Sequence, residues 1–312
     1  MKYINPGYAE FLDADGGTTI EDAATAHGVA FYQPTDDEGV NLAVAIDNLY
    51  GRFDFYFPAT FSSLPSNYFL KVGVYKPGNY NAGFNGISLY KYSSSYIHIR
   101  PWVCGGYEES KAHTNFQMNL GGINQFYFRF KGRSANAADG EYQIYLNGVR
   151  IFNATGKQTY FDNTTKLVVY AASELCTISN LILSDTAFDM KERITAVPLG
   201  SPVTDMIDRG DGSYLAESSG QQILQTVDVV SLISAYGGGS QVTGIAVAGK
   251  PAYRTADGLT SLIGLSKSAG VQTEHGTKTL KTDTMAGVID CHGVNMTLAD
   301  MAGMQLGWKA GN

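Results

Sequence analysis

The stretch "QFYFRFK", residues 125–131, puts Phe126, Phe128 and Phe130 on one side of an extended chain and Tyr127, Arg129 and Lys131 on the other. Successive side chains of a strand point to opposite faces, so this alternation calls for a sheet with one buried face. "RFDFYF" repeats it, with Phe53, Phe55 and Phe57 against Arg52, Asp54 and Tyr56. "YFLKVGVYKPG", "GISLYKYSSSYIHIRPWV", "GEYQIYLNGVRIF", "TKLVVYAA" and "TISNLILSD" continue the series, separated by turn clusters such as "KPGNYNAGFNG" and "GRSANAADG". Many short aromatic strands with no helical pattern between them predict an antiparallel two-sheet sandwich.

In "GEYQIYLNGVRIF" the pair Asn147 and Gly148 supplies the two left-handed positions of a type I′ hairpin, and Tyr142, Ile144 and Leu146 form its buried row. The order of an aromatic strand, a polar loop, this hairpin, an apolar strand and the closing "TISNLILSDTAF" resembles the concanavalin A-like lectin/glucanase superfamily of jelly-roll sandwiches. That resemblance covers roughly residues 1–190. It implies that the hairpin joins two strands of one sheet and that "ISNLILSD" is the returning terminal strand.

The chain changes character near "ERITAVPLGSPVTD". All 15 Phe precede residue 189 and 17 of the 20 Tyr precede residue 200, whereas the remainder is rich in Gly, Ala, Thr and Ser. We expect two domains, 1–194 and 195–312, the second a smaller Gly-rich β domain. In it "VDVVSLISAYGG" reads as a short helix or a strand pair, "QVTGIAVAGKPAY" and "AGVIDCHGVNMTL" as strands, and "TLADMAGMQLGWKAGN" as a turn of helix before a last strand. From "LISAYGG" through "PAYRT" to "GWKAG", this tail is similar to C-terminal regions of tail or other virion proteins of phages that infect gut bacteria.

A net charge of −7 with 16% charged residues argues against nucleic acid or an anionic membrane as partner, and no Lys/Arg cluster stands out along the chain. The N-terminus shows no secretory h-region, and no apolar run approaches the roughly 20 residues of a spanning helix. Cys104, Cys176 and Cys291 are far apart and read as reduced, packed thiols. Neither a metal nor a cofactor is expected, because Cys291 and His292 lack a second ligand pair.

Retaining glycoside hydrolysis needs two carboxylates roughly 5 Å apart, which on a strand means alternating acidic positions. That pattern is missing. Glu108 and Glu109 are adjacent, Asp36, Asp37 and Glu38 sit in a loop, and Glu141 alternates with Gln143, Tyr145 and Asn147. No G-x-S-x-G, P-loop, G-x-G-x-x-G or H-E-x-x-H motif is present, and His27, His98, His113, His275 and His292 are scattered. Asp13 to Gly16 and Arg209, Gly210 and Asp211 read as turns.

One strand face stands out. In "SYIHIRPWV" Tyr96, His98, Arg100 and Trp102 share one side and Ile97 and Ile99 the other, a platform on which rings stack against sugar faces while Arg and His direct hydrogen bonds. Packing against another protein surface is the alternative use of such a face. Tyr127 and Arg129 extend the platform if their strand lies beside it. The expected function is a non-enzymatic virion-associated structural or adhesion protein of a phage or prophage, assembled in the host cytoplasm. It would form a homo-oligomer such as a trimer with other virion proteins as partners, and its lectin-like domain would contact host-surface glycans. A glycoside hydrolase or lyase acting on host polysaccharide is one alternative, and a virion spacer without glycan contact the other.

Overall fold

The computed structural model describes residues 2–5, 48–57, 67–75, 84–93, 97–103, 106–107, 111–112, 118–131, 139–157, 166–171, 177–192, 194–195, 197, 199–252, 254, 258–280, 282 and 286–312. Tyr96, Glu108, Glu109, Cys104, Cys176, His27, His113 and the acidic stretches 13–16 and 36–38 lie outside the described residues. The chain divides into two compact units, Tyr3–Ile194 and Thr195–Asn312.

The first unit is a β-sandwich. Its strands are β1 (Lys2–Asn5), β2 (Asn48–Phe57), β3 (Asn67–Tyr75), β4 (Asn85–Lys91), β5 (Ile97–Val103), β6 (Gly106–Tyr107), β7 (Lys111–Ala112), β8 (Gly122–Lys131), β9 (Gly140–Leu146), β10 (Val149–Lys157), β11 (Lys166–Ala171) and β12 (Thr177–Ser184). One six-stranded sheet has the order β1-β12-β2-β8-β9-β10. The other runs β11-β3-β4-β5-β6, with β7 also on β5. The strand pairs with a recorded register are antiparallel. β12 returns to the first sheet beside β2, and the hairpin joins β9 and β10 of that sheet, as the jelly-roll resemblance implies.

Each sheet buries one row, and the two rows differ in kind. The first contributes Phe53, Phe55, Phe126, Phe128, Phe130, Tyr142 and Ile144, and the second Leu70, Val72, Val74, Ile87, Leu89, Ile97 and Ile99, each at most 1% exposed. Burying each such side chain contributes roughly 1.5–3 kcal/mol, which holds the two faces together. Phe53 lies directly across from Phe126, with their rings stacked 5.1 Å apart. Its neighbour in the row is Gly51, which pairs with Phe128, and a Cβ there would fall 2.0 Å from Phe128 Cζ. The glycine leaves the space that the phenylalanine ring fills. Gly51→Ala should therefore overpack the core and cost about 1–3 kcal/mol, read as a lower urea midpoint with an unchanged m-value.

At the hairpin, Asn147 (φ 50°) and Gly148 (φ 80°) take the left-handed conformations, and Leu146 faces Val149. Asn147 also ties the turn to β8. Its Oδ1 accepts from the Gln125 backbone N–H at 2.8 Å, and its Nδ2 donates to Asn124 Oδ1 at 3.0 Å.

The outward row of β2 departs from a solvated face. Arg52 is 2% exposed and Asp54 7%. Arg52 Nη2 donates to Asp54 Oδ1 at 3.1 Å, and Asn180 Nδ2 donates to Asp54 Oδ2 at 2.7 Å. Asn180 delivers that amide from a positive φ of 52°, where the β12 register slips between Ser179 and Ile182. With its amide oxygen turned toward Arg52, Gln125 accepts from Nε at 3.2 Å and Nη2 at 2.6 Å, and its NH2 donates to the Met190 carbonyl at 3.3 Å. Residues 185–192 reach the same face on the adjacent strand β8, where the Met190 carbonyl accepts from Gln125, the residue paired with Asp54. Besides Met190, they bring Phe188 edge-on to Tyr127 at 5.6 Å.

The second unit is also β-rich. Strands β13 (Leu199–Thr204), β14 (Ile207–Asp208), β15 (Tyr214–Leu215) and β16 (Gln222–Val227) precede the helix α1 (Val230–Tyr236). β17 (Gln241–Ala252), β18 (Ser261–Ser268), β19 (Val271–Thr279), β20 (Ala286–Thr297) and β21 (Gln305–Gly311) follow. A five-stranded sheet β13-β16-β21-β18-β19 stands with the two-stranded β17-β20 and β14-β15. Val227, Ile245, Val247, Met301, Met304, Leu306 and Trp308 form its core. Of the two readings of "VDVVSLISAYGG", the helix is the one formed, and Gly237 at φ 83° ends it. Arg209, Gly210 and Asp211 lie in the β14–β15 turn. There the Asp211 carboxylate accepts from Ser213 N (2.8 Å) and Oγ (2.6 Å), which hold its pKa below the ordinary carboxylate value.

Candidate functional site

On β5 burial alternates residue by residue. Ile97, Ile99, Pro101 and Val103 are buried, and His98, Arg100 and Trp102 are half-buried on the opposite side. The register of β4 on β5 sets Tyr90 against His98, Ser88 against Arg100 and Gly86 against Trp102, and β3 continues these rows with Lys71 opposite Ser88 and Gly73 opposite Gly86.

The two glycines shape this face. A Cβ on Gly73 would come within 2.2 Å of the Asn85 carbonyl oxygen, and one on Gly86 within 2.3 Å of the Val72 carbonyl oxygen. The Phe84 ring covers both and meets Trp102 edge-on at 6.1 Å. Lys71 leans over this aromatic floor, its Nζ 5.3 Å from the Trp102 ring and 5.9 Å from Phe84. Burial there lowers the Lys71 pKa from its ordinary value, bringing the neutral amine closer to reach. Trp102 is fixed by donating Nε1–H to Ser88 Oγ at 2.6 Å.

Arg100 places its guanidinium 4.1 Å from the centre of the Tyr90 ring, and His98 lies flat against Tyr92 at 4.9 Å and 8°. Burial, and then the Arg100 charge, lower the His98 pKa below 6.5, so the ring is neutral at pH 7. His98 Nδ1 is buried without a hydrogen-bond partner. An unpaired lone pair is tolerated better in such a place than an unpaired N–H, which assigns the ring proton to Nε2. The lowered pKa means that the folded chain binds this proton more weakly than the unfolded chain. The stability it contributes is present above about pH 6.5 and is lost as pH falls through the folded value. Urea midpoints of wild type and His98→Gln should therefore keep a constant gap above that pH and shift relative to each other below it.

The outward rows of β3 and β5 carry Lys71, His98 and Arg100, and the strands of this sheet, β3 to β7 and β11, hold not one Asp or Glu. The sequence shows no basic cluster because these residues come from separate strands; the sheet assembles them within an acidic chain.

Tyr127 and Arg129 do not extend this surface. They lie on β8, paired with β2 and β9 of the other sheet. Tyr127 is 9% exposed, and burial first, then the neighbouring Tyr50 and Tyr145, push its phenol up to about 12, which removes it from proton transfer near neutral pH. Arg129 is held by Glu141 at 3.1 Å. Sequence reasoning missed Lys71, Tyr90 and Tyr92, although the outward parity of Tyr90 and Lys71 in their own strands was a usable signal.

The chain matches no protein-family model and no curated protein. Among solved structures it is similar to the endo-beta-1,4-glucuronan lyase from the fungus Trichoderma reesei, at 12% identity over 59% of this chain and 95% of that one, with a TM-score of 0.40. It is similar to an alginate lyase at 14% identity over 62% and 95%, with a TM-score of 0.38. Sheep galectin-11 follows at 14% over 46% and 93%, with a TM-score of 0.29. At these values the likeness concerns the β-sandwich and assigns neither activity nor ligand to this chain.

The expectation of a non-enzymatic chain is corrected here. It rested on the missing carboxylate pair, which bears on retaining hydrolysis alone; two of the similar structures are lyases, a likeness that concerns the sandwich and gives no activity to this chain. β-Elimination from a uronate requires a base for the proton α to the carboxylate and cations to hold that carboxylate, so no acidic pair is needed.

Proposed function

We propose that the outer face of β3, β4 and β5 binds an acidic, uronate-bearing polysaccharide and cleaves it by β-elimination. The observation that carries this reading is the gathering of basic and aromatic side chains on a sheet whose strands hold no carboxylate. Such a face attracts a polyanion, and the rings of Tyr90 and Trp102 supply flat surfaces for sugars.

In this scheme Arg100 and the His98 Nε2–H hold the uronate carboxylate. Lys71, as the neutral amine, takes the C5 proton. The C4–O4 bond breaks with its electron pair leaving on O4, the Tyr90 phenol protonates that oxygen, and a C4=C5 double bond forms. Both groups return to their starting states by proton exchange with water.

The test is incubation of the chain with alginate, glucuronan and a neutral glucan, following the ultraviolet absorbance of the unsaturated uronate. Absorbance rising with an acidic polymer alone is expected. Retention of acidic polymer without any unsaturated product reduces the reading to binding, and no retention removes it. The setting proposed by the C-terminal resemblance is a homo-oligomer on a virion that meets host-surface glycans. Antiserum labelling of purified particles decides that point, and unlabelled particles remove it.

A further inference from the structure

Tyr92 follows the last residue of β4 and is 65% exposed. Among the described residues of the first unit, the other exposed large apolar side chains are Leu120 and Val149, which sit in or beside turns. Tyr92 instead lies on the basic sheet face, one side of its ring flat against His98 at 4.9 Å and 8°. Stacking fixes the ring plane before any ligand arrives, so little side-chain freedom remains to be lost on binding. Its opposite side is left for a partner that matches a flat, weakly polar surface next to cations, which is the apolar face of a pyranose ring.

We infer that Tyr92 is a specificity-determining platform that stacks on the sugar neighbouring the one whose carboxylate Arg100 and His98 hold. This rests on the proposed reading of the face as a polyuronate site. A platform one sugar away acts on chains long enough to reach it and has no effect on shorter ones. A residue that merely props up His98 would act equally on all lengths, and through kcat and the pH profile.

The experiment uses the full chain with a ladder of oligouronates of increasing length, for wild type, Tyr92→Trp and Tyr92→Ala. Dissociation constants come from calorimetry, and kcat and KM from the absorbance assay. The expected result is a length threshold above which wild type gains affinity. Tyr92→Ala should bind about five- to tenfold more weakly and show a KM higher by the same factor above that threshold, with no change below it, and Tyr92→Trp should retain the gain. Binding with that threshold but without cleavage upholds the platform and overturns the lyase reading. Cleavage with identical length dependence in wild type and Tyr92→Ala overturns the platform and leaves the lyase reading standing. A fall in kcat at every length in Tyr92→Ala also overturns it, in favour of support for His98, and absence of binding by wild type removes both.

Discussion

Asp54→Ala is expected to cost the N-terminal sandwich about 3–5 kcal/mol, because it strands the buried Arg52 guanidinium without its counter-charge. The geometry leaves Arg52 little else. Asp54 accepts from Nη2, the Gln125 oxygen takes Nε and Nη2, and Nη1 is already buried without a partner. The substitution also deprives the Asn180 amide of the acceptor for which the chain adopts a left-handed residue in β12. For a unit of this size such a loss lowers the thermal midpoint by roughly 6–20 °C. The double variant Arg52→Met, Asp54→Leu should recover the part owed to the stranded guanidinium but not the part owed to the Asn180 amide and the Gln125 oxygen, which lose their partners. A loss below about 1 kcal/mol for Asp54→Ala would mean that water reaches the pair in solution.

The largest functional effect should come from Lys71. As the base for the C5 proton it should contribute about 10²–10⁴-fold, so Lys71→Ala should nearly abolish the formation of unsaturated product. Lys71→Arg is the decisive variant. It keeps the positive charge over Phe84 and Trp102 but does not give up its proton at any accessible pH, so it should bind polyuronate as wild type does and remain inactive. Recovery of cleavage in Lys71→Arg would assign Lys71 to binding and move the base elsewhere. In wild type, kcat/KM should rise with pH and level off below the ordinary lysine value of 10.5, the direction in which burial shifts this group. Arg100→Ala should lose about 10²–10³-fold by leaving the carboxylate unheld, and Arg100→Lys should recover part of it.

The strands were legible because their signal is local. Phe126, Phe128 and Phe130 alternate with Tyr127, Arg129 and Lys131 whatever lies beside them, and Asn147 with Gly148 specifies its turn without reference to the rest of the chain. The same locality explains the misreadings. Arg52 and Asp54 carry the polar half of an alternating pattern, yet they are buried and bonded to partners distant in sequence, Asp54 to Asn180 and Arg52 to Gln125. Paired carboxylates mark retaining glycoside hydrolysis alone, and the proposed elimination draws instead on basic and aromatic side chains from three strands.

From its sequence alone this chain determined an all-β fold, the inward and outward sides of its strands, and the His98, Arg100 and Trp102 row on one of them. Tertiary structure decided which rows became one surface. Side-chain parity is set within a strand by backbone geometry, but the neighbour of each strand is set by pairings distant in sequence. Those pairings put Lys71 and Tyr90 beside the β5 row, and assigned Tyr127 and Arg129 to the opposite sheet.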